Sequence, residues 1–203
     1  MTTKYEFQEI RLQILLDLLP AYPTQLSDYK VSSYRGEAVF GSPLPHPNSV
    51  LDLFVKCNVS FALPFAYYRV CIAGDPASLN TNAAEIALPR DVLKAALRGQ
   101  ARLKADEVRL AKRLTLQNCR GWQCAGKAPA SRAQVFNWIL ALPEVATQTG
   151  ILEKGDFPGS GFCSLCLQTF AEGLSKAKEG TWENLPSYFG LPSWEKAAGE
   201  TFS

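Results

Sequence analysis

The sequence predicts a mostly α fold: an irregular multi-helix domain, stapled by a four-cysteine zinc site with a treble-clef-like knuckle. Three features carry that expectation. Apolar residues recur at i, i+3 and i+4 in several segments, and no strand pair or repeat is evident. Pro, Gly and Asn punctuate those segments at their ends. Two close cysteine pairs, Cys119/Cys124 as C-x4-C and Cys163/Cys166 as C-x2-C, can supply four thiolates to one tetrahedral ion.

The first helix is expected over Tyr5–Leu19, with Phe7, Ile10, Ile14 and Leu18 on one face. Leu12, Leu16 and Leu19 make a second apolar side, so this helix must be covered on more than one side. Pro20 and Pro23 stop it, and residues 24–46 carry loop signals. Asn48 or Ser49 then caps a helix through Val50, Leu51, Phe54 and Val55, which Asn58 ends. Ser60 begins the next, through Phe65, Tyr67, Val70 and Cys71, with Pro64 in the first turn, where a missing N–H costs little. Gly74-Asp75-Pro76 breaks it.

Leu88-Pro89-Arg90-Asp91 opens a further helix with Val92, Leu93, Ala96 and Leu97 on one face. Gly99 closes or interrupts it, and 100–116 is again helical by pattern. Residues 117–130 form the Cys/Gly/Trp/Pro knuckle, and Ser131 caps a helix from Ala133 to Leu142. After a loop at 143–162, a helix runs from Cys163 to the neighbourhood of Lys178, with Gly180 as its terminator. The tail holds two short helical turns pinned by Trp182, Leu185, Phe189, Leu191 and Trp194.

Composition narrows the function. A chain of 203 residues makes one domain or at most two small ones. Its 47% apolar and 20% charged residues describe an ordinary globular protein. A net charge of +2 gives no electrostatic footprint for nucleic acid. No apolar run approaches the roughly 20 residues that cross a bilayer, and the amphipathic start fits neither a signal nor a transit peptide. Six cysteines without a secretory segment point to a reducing compartment, cytoplasmic or nuclear, where thiols bind metal or lie buried.

The chemistry rests on Cys119, Cys124, Cys163 and Cys166 as ligands of a structural zinc. Residues 125–162 separate the pairs, and metal closure of a long loop costs only slowly more with length. Cys166 falls in the first turn of a helix, where the positive end favours thiolate. The competing role is that of buried core thiols, which is expected of Cys57 and Cys71 on their helical faces. A thioredoxin-like role for Cys163 and Cys166 lacks its βαβ context. His46, the only histidine, sits between two prolines as a turn residue or helix-entry cap, with no partner proposing a nucleophile system. Asp106 and Glu107 are expected on a solvated face, and the glycines near Pro158 lack the Lys-Ser/Thr of a phosphate loop. The run Arg98, Arg102, Lys104, Arg109, Lys112 and Arg113 points in several directions around a helix. Trp182, Tyr188, Phe189 and Trp194 are expected to fill a core rather than form an exposed patch.

Several segments also resemble a known family. Thr3-Lys4-Tyr5-Glu6-Phe7 with Ile10-Arg11 resembles the helix that follows the BTB/POZ fold in basidiomycete fungal BTB-domain proteins. His46-Pro47 through Leu63-Pro64 with Tyr67 resembles the helical extension found there. Phe162-Cys163-Ser164-Leu165-Cys166, then Trp182 to Pro186 and Phe189 to Trp194, resembles that family's C-terminal signature, and Cys119/Cys124 falls at its other cysteine pair. The BTB fold itself, which would precede Lys4, is missing from this sequence. The resemblance therefore implies a BACK-like helical region over 1–116 and a Cys-pair zinc region over 117–203, packed as one unit. It implies a non-enzymatic interaction or adaptor module with a protein partner. The alternative of another class is a zinc-finger-like nucleic-acid-binding or transcription-regulatory domain, which needs a basic face and salt-sensitive binding.

Overall fold

The computed structural model describes residues 9, 13–14, 16–29, 46–73, 88–115, 124, 129–140, 151–153 and 162–199. Among these the chain is mostly helical, as the apolar spacing predicts, and no strand occurs. Residues 9, 13–14 and 16–18 are helical, as the first expected helix requires, and 26–29 form a helical turn within the stretch expected to be loop. Further on come α1 (Pro47–Cys57), α2 (Leu63–Ala73), α3 (Arg90–Thr115), α4 (Pro129–Leu140), α5 (Ser164–Tyr188) and α6 (Trp194–Gly199). Among the described residues, short 3-10 turns at Leu19–Ala21, Ser60–Ala62 and Ile151–Glu153 lie between or before them.

Local chemistry sets the helix ends. His46 caps α1: its Nδ1 accepts the Asn48 N–H at 3.3 Å, and Pro47 fills the first helical position. The helix therefore starts ahead of the Asn48 or Ser49 cap expected from the sequence. Asn58 ends it in the left-handed region at φ 55°, and Val59 N donates to Phe54 O at 3.0 Å.

The longest corrections concern two glycines. Gly99 neither closes nor interrupts α3, which runs for 26 residues through it. A Cβ there would stand 1.9 Å from Phe189 Cε1, so the missing side chain lets the ring of a distant segment lie on the helix backbone. Gly180 does not terminate α5 either. That helix runs 25 residues to Tyr188, taking in Trp182 and Leu185, which were expected in a separate turn. Its true stop is Gly190 at φ 74°, where Leu191 N donates to Pro186 O (2.9 Å) and Gly190 N to Ser187 O (3.2 Å). These two bonds make a Schellman ending.

Pro186 sits inside the last turn of α5, where it has no N–H to offer the carbonyl of Trp182 four residues back. Trp194 supplies that donor instead, its indole Nε1 standing 2.8 Å from Trp182 O. The two indole rings stack at 5.3 Å with planes 9° apart. One proline thus creates the vacancy that docks α6.

Helices α3 and α5 are antiparallel neighbours, shown by pairs that run in opposite senses: Gly99 with Phe189, Arg102 with Ser187, Arg113 with Gly173. Two buried clusters lie along them. The larger gathers α1, α2, the first half of α3 (Val92, Ala96, Leu103) and the end of α5 (Trp182, Leu185, Tyr188). Its aromatic heart is Phe65, ringed by Tyr22, Tyr29, Tyr68 and Trp182 at 5.5–5.9 Å. The smaller gathers the end of α3 (Leu110, Ala111, Leu114), Val135 and Ile139 of α4, and the start of α5 (Phe170, Leu174), with Cys124. Residues from 1–116 and from 117–203 contribute to both clusters.

At the N-terminal end, Leu18 is buried in the larger cluster while Ile14 and Leu16 are exposed. Tyr5, Phe7, Ile10 and Leu12 lie outside the described residues.

Candidate metal centre

The centre is built at the start of α5. Cys163 is the N-cap residue, extended at φ −73° and ψ 159°, and its carbonyl accepts the Leu167 N–H at 3.1 Å. Cys166 follows within the first turn. Cys124 reaches the same place from the segment between α3 and α4. Its Sγ lies 3.7 Å from Cys166 Sγ and accepts the Cys163 backbone N–H at 3.2 Å. All three Sγ atoms lie within 4.8 Å of one another. The sulfurs edge the smaller cluster, with Cys124 buried and the other two half-buried. Phe162, packed edge-on to Phe170 at 5.4 Å, anchors the chain as it enters the helix.

This geometry suits a metal. Sulfurs bound at about 2.3 Å to a tetrahedral zinc stand about 3.8 Å apart, close to the 3.7 Å between Cys124 and Cys166. None of the three is in a disulfide. Cys163 and Cys166 stand at the N-terminal end of α5, the positive end of the helix dipole. The Cys163 N–H on Cys124 Sγ is the outer-shell support that ligand sulfurs receive in metal sites. Three of the four expected ligand residues are thereby brought together, and the fourth, Cys119, lies outside the described residues.

The other candidate residues sit elsewhere. Cys71 is core, with Sγ 3.4 Å from Ala96 O, and burial pushes its thiol up to about 12. Cys57 is half-buried against the larger cluster. Asp106 and Glu107 are not a solvated face. Glu107 is buried and paired with Lys104 at 2.8 Å, while Asp106 takes the Tyr188 hydroxyl and the Arg109 guanidinium. The cause is packing of α3 against α4 on one side and α5 on another, which a single-face helical pattern does not reveal. The basic run divides between two neighbours: Lys104 bonds Leu140 O of α4, while Arg102 bonds Ser187 O and Arg113 bonds Gly173 O of α5. Trp182, Tyr188 and Phe189 are buried and Trp194 half-buried against the larger cluster. No described helix is long and apolar enough to cross a membrane.

No family model matches the chain, and neither a curated protein nor a solved structure is significantly similar to it.

Proposed function

We propose that this chain is a non-enzymatic, metal-stapled helical module that presents its folded surface to a protein partner. Cys119, Cys124, Cys163 and Cys166 hold a structural zinc in this proposal, in the reducing setting of cytoplasm or nucleus. The observation that carries it is the convergence of three sulfurs from two distant segments within 4.8 Å, one pair at 3.7 Å. An all-sulfur set of four closes the zinc to water and substrate, which is the mark of a structural rather than a catalytic site. The metal then ties the segment after α3 to the start of α5 and seals the smaller cluster. Apparent zinc-binding free energies of about 10–16 kcal/mol in small peptides rival the net stability of a whole domain. The likeness of the start, middle and end of the chain to the post-BTB region of fungal proteins supports the adaptor role.

Metal content of the purified, reduced protein by mass spectrometry tests this. About one zinc per chain is expected, lost in Cys163→Ser and Cys166→Ser. Folded, reduced protein without metal would overturn the proposal. Cys119→Ser separates the two kinds of zinc site: full retention would mean a fourth position open to water, and a catalytic centre would replace the structural one.

A further inference from the structure

A cleft of about 520 Å³ runs along the seam between α3 and α5, and no cysteine lines it. Its volume falls in the range of small-molecule sites. On its α3 side lie Asp106, Arg109 and Arg113, which repeat at helical spacing and so face one way. Asp106 is committed to Arg109 and to the Tyr188 hydroxyl. Arg113 is exposed and places one amine 3.4 Å from Gly173 O, out of five N–H donors. Two arginines against one aspartate leave the lining with one positive charge in excess.

Two neighbouring residues of α5 mark the cleft wall. Gly180 lines the cleft in mid-helix, yet a Cβ built there meets nothing within 4 Å. Glycine in that position weakens a helix, and no neighbour requires it. Thr181 is 3% exposed and lines the same space. The hydroxyls of Thr115 and Thr169 turn back onto carbonyls at 2.8 and 2.7 Å, whereas no such bond is found for Thr181 among the described residues. Thr181 therefore brings to the cleft wall a hydroxyl not engaged by its own helix.

We propose that this cleft binds a small organic carboxylate. Arg113 and Thr181 hold the anion, and the apolar body of the ligand lies on Leu110, Ile151 and Ala177 over the space kept clear by Gly180. The single excess charge fits a monoanion better than a phosphate dianion. Arginine and hydroxyl donors together give the charge-assisted bonds that fix a carboxylate.

Titration calorimetry of the full chain with octanoate and with 4-phenylbutanoate tests this, with neutral octanamide and inorganic phosphate as controls. Saturable one-to-one binding of at least one carboxylate is expected, and octanamide and phosphate are expected to bind at least about tenfold more weakly. Arg113→Gln, on an exposed side chain, is expected to weaken the carboxylate about tenfold without changing the melting temperature. Gly180→Leu is expected to abolish binding while leaving the fold intact, because the added side chain enters open space. Absence of saturable binding at roughly 10 mM of either carboxylate would overturn the proposal. Equal binding by octanamide, or undiminished binding in folded Gly180→Leu, would do the same, and tighter phosphate would mean an anion site of a different kind.

Discussion

Trp194→Phe removes the indole donor while keeping an aromatic ring against Trp182. The Trp182 carbonyl, which Pro186 already deprives of its helical partner, is then left without a bond. An orphaned buried acceptor costs about 1–3 kcal/mol. The smaller ring also loses part of the 5.3 Å stack, about 0.5–1 kcal/mol. Together these give a loss of about 1.5–4 kcal/mol, or about 3–16 °C in melting temperature for a domain of this size. A double-mutant cycle isolates the hydrogen bond. In Pro186→Ala, residue 186 regains an N–H, which reaches Trp182 O within the helix. Trp194→Phe is then expected to cost only the stacking share, leaving a coupling of about 1–2 kcal/mol. The lost Pro186 ring contacts cancel in the cycle. Urea unfolding of the four proteins gives the numbers. Additivity within about 0.5 kcal/mol would refute the idea that the tryptophan replaces the proline's missing donor.

Gly99→Ala is expected to destabilise by about 1–3 kcal/mol or more in chemical denaturation, since its Cβ meets the Phe189 ring. Gly180→Ala is expected to stabilise by about 0.5–1 kcal/mol, as its Cβ meets nothing. Tyr188→Phe, which strips Asp106 of a hydroxyl donor, is expected to lower stability by about 1.5–3 kcal/mol, seen as a shifted urea midpoint. At high pH, burial holds the Tyr22 hydroxyl and the Cys71 thiol up to about 12, above their unfolded values of 10.0 and 9.0. The folded state keeps protons that the unfolded state has released, so stability is full below pH 9 and falls as pH rises toward 12. Spectroscopic titration of tyrosinate alongside unfolding checks the coincidence of the two.

The helices were legible wherever one apolar face and a local stop signal agreed, as in the segment ended by Asn58. Gly99 and Gly180 were misread because a glycine looks the same whether it ends a helix, admits a ring or leaves a gap. Phe189, 90 positions along the chain from Gly99, decides that case. The buried pairing of Glu107 was hidden for a related reason: α3 is packed on two sides, so acidic residues off the main apolar stripe still meet neighbours. Cysteine spacing pointed to the right neighbourhood, since a short turn holds Cys163 and Cys166 together whatever the fold. Meeting Cys124 depends on the smaller cluster closing, and that is tertiary information. The cleft along α3 and α5 had no sequence signal beyond Arg109 and Arg113 one turn apart.

Each long helix is half in one cluster and half in the other, and the two run in opposite directions. Melting of the cysteine-edged cluster would therefore not release whole helices but unravel each from one end, while the far end stays clamped among Phe65, Trp182 and Leu185. Amide exchange would then slow along α5 from Phe170 toward Tyr188 and quicken along α3 from Val92 toward Leu114. A single rod would carry two local stabilities, and the chain would come apart like a zipper with its slider at the cysteines.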